Sequence, residues 1–147
     1  MANIPDDIIL AEAIRLVESG VSVTFPVNGR SMRPFVEGGR ESLVLEKPVR
    51  VAVGQVVLAF VEGERYVIHR ILRRSGDRLT LMGDGNLSLC EYCSVSDVKA
   101  VATYVVSPSG RKRPLYSMYR RFASRLWVAL RPFRRYLLKI YSIIHGA

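Results

Sequence analysis

The chain has 147 residues, of which 49% are hydrophobic and 24% are charged, which fits one folded domain and excludes a disordered protein. The whole chain has a net charge of +9, but residues 1–110 carry 12 basic and 13 acidic residues, whereas residues 111–147 carry 10 basic and no acidic ones. No run approaches the ~20 apolar residues that a membrane-spanning helix requires, and the polar N-terminus does not have the pattern of a secretory signal peptide. We therefore expect a cytoplasmic protein, with a near-neutral body and a strongly basic tail that brings it to the inner surface of a membrane.

A helix is expected first, from Asp6 or Asp7 to about Ser19, because its apolar residues recur at helical spacing and Gly20 follows. Residues 21–27 then alternate between apolar and polar side chains, which predicts a half-buried strand, and Pro26 places that strand at a sheet edge. Short strand-like runs separated by turn residues follow at 42–45, 55–60, 65–72, 78–82 and 98–106. This pattern predicts a mainly β fold with an antiparallel, barrel-like sheet.

The strand pattern ends at Val106, and Ser107 to Gly110 has the composition of a linker. We therefore divide the chain into a body of residues 1–106 and a linker with a tail at residues 107–147. In the tail, arginines alternate with apolar residues at helical spacing, and Pro132 should break the helix. Such a basic amphipathic helix suits an anionic membrane surface. The same pattern suits nucleic acid, which we rank lower, or a helix packed on the body. The spaced apolar residues are Tyr119, Phe122, Leu126, Trp127, Phe133, Leu137, Ile140 and Ile144.

Ser31 follows the first predicted strand after a short turn, Asn28 to Arg30, and Pro34 stiffens the exit from this loop. A serine on such a loop can present its hydroxyl as a nucleophile and use neighbouring backbone N–H groups as oxyanion donors. Met32 would place an apolar side chain beside it, and Gly29 would help to shape the turn. The alternative is a serine that only satisfies the turn.

His69 lies inside the predicted strand 65–72, with Val67 and Ile71 on the same face. An imidazole can take a proton from a serine hydroxyl near neutral pH. The alternative is a core histidine with a structural hydrogen bond.

Asp84 follows in a Gly-Asp-Gly-Asn turn, and Glu91 comes seven positions later. Either carboxylate can orient a histidine, but Asp-Gly is also a common hairpin turn.

The motifs Ser31-Met32-Arg33-Pro34, His69-Arg70 and Gly83-Asp84-Gly85-Asn86 occur in this order. They resemble the signal peptidase and LexA-like serine peptidase superfamily over roughly residues 21–106. The resemblance is closest to its Ser-His type signal peptidases, in which a histidine followed by an arginine replaces the lysine of the bacterial branch. The sequence departs from them in lacking a membrane-spanning anchor.

The resemblance implies a twisted antiparallel sheet, a catalytic domain at residues 1–106 and a serine endopeptidase that needs no cofactor. It implies Ser31 as the nucleophile, His69 as the base and Asp84 as the orienting carboxylate, with Glu91 as the alternative. Gly29 and Met32 would flank the oxyanion site. The expected substrate is a peptide or preprotein, such as one carrying a leader or signal segment. Two other functions remain open: an inactive peptide- or partner-binding module of the same fold, and a LexA-type regulator.

Cys90 and Cys93 form a C-x-x-C motif, which in other settings binds a metal or cycles between thiol and disulfide. A zinc site needs two more ligands, and the chain has only two histidines, His69 and His145. We therefore expect two free thiols and no metal.

Overall fold

The computed structural model describes residues 6–27, 32, 39–85, 89–116 and 125–145. It is mainly β, as predicted, with helices at both ends of the described chain. Helix α1 (Asp6–Glu18) is followed by strands β1 (Val23–Pro26), β2 (Ser42–Glu46), β3 (Val56–Val61), β4 (Arg65–Ser75), β5 (Arg78–Met82), β6 (Glu91–Ser94), β7 (Val98–Val106) and β8 (Lys112–Pro114). Helix α2 is described over residues 125–129, and helix α3 spans Arg134–His145.

All pairings between neighbouring strands are antiparallel, in the order β1-β2-β7-β3-β4-β5-β6, and β8 pairs with β7. The strand that contains Pro26 lies at an edge, as expected for a residue that lacks an N–H donor. The sheet is curled into a half-barrel, so that the N–H of Glu62 in the β3–β4 turn donates to the carbonyl of Tyr92 in β6 at 3.0 Å. The predicted antiparallel, curled sheet is therefore confirmed.

Two hydrophobic clusters lie on opposite faces of the sheet because side chains alternate along each strand. On β3, Val56 and Leu58 belong to the first cluster, whereas Val57 and Ala59 belong to the second. The first cluster also contains apolar residues of α1 and the buried Met32. The second contains residues of β3, β4, β5 and β7. The two faces of β4 therefore offer two separate environments for polar side chains.

The residues predicted as a linker form the turn of the β7–β8 hairpin instead. The N–H of Ser107 donates to the carbonyl of Arg111, and the N–H of Gly110 donates to the carbonyl of Ser107, both at 2.9 Å. The sheet therefore continues to Pro114, and Leu115, only 2% exposed, belongs to the first cluster. Strand β8 consists of Lys, Arg and Pro, so it lacks the apolar alternation from which a strand is predicted.

Pro132 interrupts the tail helix, as predicted. The helical residues 125–129 are followed by a 3-10 turn, Arg131–Phe133, that contains Pro132, and α3 begins at the next residue. In the part of the chain that the structure describes, no helix is long and apolar enough to cross a membrane.

Candidate active site

A tight turn between β3 and β4 determines which face of the sheet His69 occupies. The carbonyl of Val61 accepts from the N–H of Glu64 at 3.0 Å, and Glu62 and Gly63 both have positive φ angles. Such angles are typical of tight hairpin turns. The resulting register places His69 opposite Val57, so both side chains lie on the face of the second cluster. A slip of one residue would move His69 to the other face.

Glu91 reaches the same face through two further strand pairings. Ile71, two residues after His69 on β4, pairs with Leu81 on β5, and Leu81 pairs with Glu91 on β6. Oε2 of Glu91 lies 2.9 Å from Nδ1 of His69. His69 is 7% exposed and Glu91 is 1% exposed. The structure therefore contains a buried imidazole–carboxylate pair.

This pair leaves one ring nitrogen of His69 as a base. A carboxylate can only accept hydrogen bonds, so Nδ1 of a neutral His69 carries the proton that it donates to Glu91. The lone pair then remains on Nε2, and the carboxylate stabilises the imidazolium that forms when Nε2 takes up a proton. Nη2 of Arg65, which is half exposed, lies 3.5 Å from the other oxygen of Glu91.

Asp84 does not lie beside His69, the position that the family resemblance implies for it. Its two oxygens accept from Nε and Nη2 of Arg70 at 2.8 and 2.7 Å, and Nη1 of Arg70 donates to the carbonyl of Gly54 at 2.7 Å. Arg70 pairs with Met82 in the sheet, so Asp84, two residues after Met82, lies on the opposite face from His69. The carboxylate that contacts His69 is Glu91, the alternative.

Arg70 and Asp84 form a buried ion pair, with exposures of 2% and 1%. Burial by itself lowers the pKa of the Arg70 guanidinium, but the charge and the hydrogen bonds of Asp84 offset this and raise the pKa above its usual value. From the sequence, Arg70 was notable only as the residue after the histidine. One signal in the sequence could have identified its role. Arg70 and His69 are neighbours on one strand, so their side chains lie on opposite faces, and a charged side chain on a covered face needs a buried partner.

The tail contacts Met82 and Asp84, which lie in the chain segment that precedes Glu91. Nε1 of Trp127 donates to the carbonyl oxygen of Asp84 at 2.6 Å. Arg134, 1% exposed, points a guanidinium nitrogen at Sδ of Met82, 3.6 Å away, and burial lowers its pKa. These residues therefore belong to the body-facing side of the tail.

Ser31 and Gly29 lie outside the described residues. Met32 is described and is 1% exposed in the first cluster. The apolar side chain expected next to the candidate nucleophile is therefore part of the core.

Cys90 and Cys93 are free thiols. Cys90 immediately precedes β6, and Cys93 lies within it. Among the described residues, no group of three or more His, Cys, Asp or Glu side chains is placed to hold a metal ion. Burial, assisted by the charge of Asp97, raises the pKa of the Cys93 thiol to about 11. A thiol with this pKa is a poor nucleophile at neutral pH.

In a Cys90→Ser background, we therefore expect Cys93 to react slowly with iodoacetamide at pH 8, where only roughly 0.1% would be thiolate. The rate should rise by about tenfold for each pH unit up to pH 10, because the thiolate is the reactive form. Mass spectrometry of the alkylated peptide measures the rate. A rate at pH 8 equal to that of the urea-unfolded chain would contradict this environment for Cys93.

Comparison with models of protein families finds no family that matches this chain, and comparison with curated proteins finds no match either. The function is therefore inferred from the sequence motifs and from the geometry around His69.

Proposed function

We propose that the protein is a serine endopeptidase of the signal peptidase-like type, built on the twisted antiparallel fold of that superfamily. The observation that supports this most strongly is the buried hydrogen bond between His69 and Glu91. It supplies the base and the orienting carboxylate of a triad at the histidine that the sequence motifs select. The Ser-Met-x-Pro motif at Ser31 supplies the nucleophile.

In this proposal, the hydroxyl oxygen of Ser31 attacks the carbonyl carbon of the scissile peptide bond, and Nε2 of His69 takes the hydroxyl proton. The backbone N–H of Ser31 is the candidate donor to the oxyanion of the tetrahedral intermediate. Glu91, rather than Asp84, stabilises the imidazolium. The intermediate collapses when His69 returns the proton to the leaving amine, and a water molecule then hydrolyses the acyl-enzyme with His69 again as the base.

The proposed substrate is a peptide or preprotein that carries a leader or signal segment. The resemblance implies small side chains at the cleaved position, as in Ala-x-Ala. We place the reaction on the cytoplasmic side of a membrane.

Labelling with a fluorophosphonate probe tests this proposal directly. We expect the wild-type chain to form a covalent adduct at Ser31, located by peptide mass spectrometry, and Ser31→Ala to form none. Ser75→Ala, at an exposed serine on the end of β4, is the matched control and should react as the wild type does. The same variants are then assayed with small-residue peptides. If the wild type neither reacts nor cleaves, or if Ser31→Ala equals it, the chain is not a serine peptidase, and the inactive binding module becomes the better hypothesis.

A further inference from the structure

One side of α3 and of the turn before it is apolar and exposed. Its side chains recur every three or four residues, which places them along a single stripe of the helix surface. Exposed apolar surface of this kind marks an interaction site. The stripe consists of Phe133 (58% exposed), Tyr136 (65%), Ile140 (54%), Ile143 (72%) and Ile144 (71%).

The partner of this stripe should be anionic. Arg135 and Lys139 are exposed, lie one helical turn apart and flank the stripe on one side. No acidic residue occurs anywhere in residues 111–147. Cations beside an apolar stripe match a surface that presents negative headgroups above a hydrocarbon interior.

The isoleucines argue for a bilayer rather than nucleic acid. Nucleic acid binds through phosphate contacts to cations and through stacking on aromatic rings. Ile140, Ile143 and Ile144 can do neither, so their exposed surface would stay in water in such a complex. In a bilayer the same side chains leave water, which is favourable in proportion to the apolar area that is buried.

The body holds the tail by different residues. Trp127 donates to the carbonyl of Asp84, and Arg134 is buried against Met82. On α3, Arg134 lies about 80–180° around the helix axis from Ile140, Ile143 and Ile144, since each residue turns the helix by about 100°. The apolar stripe can therefore enter a membrane without breaking the contacts between the tail and the body.

We propose that α3 lies in the plane of an anionic lipid bilayer, with the stripe 133–144 in the boundary between headgroups and acyl chains. Arg135 and Lys139 meet the lipid phosphates. Because the tail is fixed to Asp84 and Met82, the His69–Glu91 pair is held at a constant distance from the bilayer. This docking does not depend on peptidase activity. If both proposals hold, the substrates are peptides presented at a membrane surface.

Flotation of the full chain with lipid vesicles tests the docking. We expect binding to mixed phosphatidylglycerol–phosphatidylcholine vesicles, much weaker binding to pure phosphatidylcholine vesicles, and weaker binding as salt increases. The double variant Ile140→Ser/Ile144→Ser should lower the partition coefficient by at least about tenfold, because two side chains no longer gain from burial. Lys139→Gln should lower it by about fivefold, which corresponds to ~1 kcal/mol for each cation.

Matched variants show whether vesicle binding depends on the stripe itself. Val49→Ser/Val53→Ser removes two apolar side chains that are 101% and 59% exposed outside the tail, and it should bind as the wild type does. His69→Ala should also bind normally, so a failed peptidase proposal leaves this test intact. The proposal is overturned if Ile140→Ser/Ile144→Ser floats like the wild type. It is also overturned if the chain does not bind vesicles but binds an oligonucleotide, and if Lys139→Gln lowers the affinity for the oligonucleotide whereas Ile140→Ser/Ile144→Ser does not.

Trp127 reports which side of the tail enters the lipid, since it is the only tryptophan of the chain. Its indole N–H is bonded to the body, so we expect its fluorescence maximum to stay unchanged when vesicles are added. A blue shift upon binding would show that Trp127 enters the lipid and that the tail leaves the body, which would overturn the proposed orientation.

Discussion

Glu91→Gln is expected to lower the rate of peptide cleavage by about two to four orders of magnitude, with a melting temperature within a few degrees of the wild type. Glutamine keeps the size of the side chain and its hydrogen-bonding capacity, so the buried site between β4 and β6 remains filled. However, a neutral amide cannot stabilise the imidazolium of His69. When its NH₂ group donates to Nδ1, the ring proton moves to Nε2, and the base is lost.

The measurement is kcat/KM on a small-residue peptide, together with the melting temperature of each variant. Glu64→Gln is the matched control, because it removes an exposed carboxylate from the β3–β4 turn and should leave the rate unchanged. His69→Ala should lose at least as much activity as Glu91→Gln. A fully active Glu91→Gln would show that this carboxylate is a structural partner of His69 and has no part in catalysis.

Asp84→Asn is expected to act on stability instead, lowering the free energy of unfolding by about 3–5 kcal/mol. It removes the charge that compensates Arg70, a residue that is only 2% exposed and stays buried. Urea unfolding monitored by circular dichroism measures the loss. Below its melting temperature, the variant should keep its cleavage rate within about tenfold of the wild type, a loss smaller than that expected from removing a general base.

The double variant Arg70→Met/Asp84→Leu tests the same ion pair without leaving a buried charge. Replacing a buried ion pair by apolar side chains of similar volume is often neutral or stabilising, so we expect at least half of the lost stability to return. An Asp84→Asn protein that is as stable as the wild type would contradict the importance of the pair. A folded Asp84→Asn protein that loses orders of magnitude in rate would restore Asp84 as the orienting carboxylate.

Local patterns of the sequence were enough to predict α1, most strands, the edge position of Pro26 and the break at Pro132. Each depends on interactions between residues close in the chain, namely hydrophobic periodicity and the missing N–H of proline. The same patterns missed β6 and β8, because neither has the apolar alternation of a half-buried strand. These two strands form because a neighbouring strand offers unpaired backbone groups to them.

The partner of His69 was decided by tertiary structure. Asp84 and Glu91 both follow the histidine, and local sequence could not distinguish them. The pairing of β4 with β5 and of β5 with β6 distinguishes them. It places Glu91 on the same face of the sheet as His69 and Asp84 on the opposite face. The sequence likewise predicted an amphipathic basic tail, but not which side of it meets the body. Periodicity specifies an apolar stripe, whereas the side of the tail that faces the body is set by the hydrogen bond from Trp127 to the carbonyl of Asp84, which is 43 residues away in the chain and adjacent in the fold.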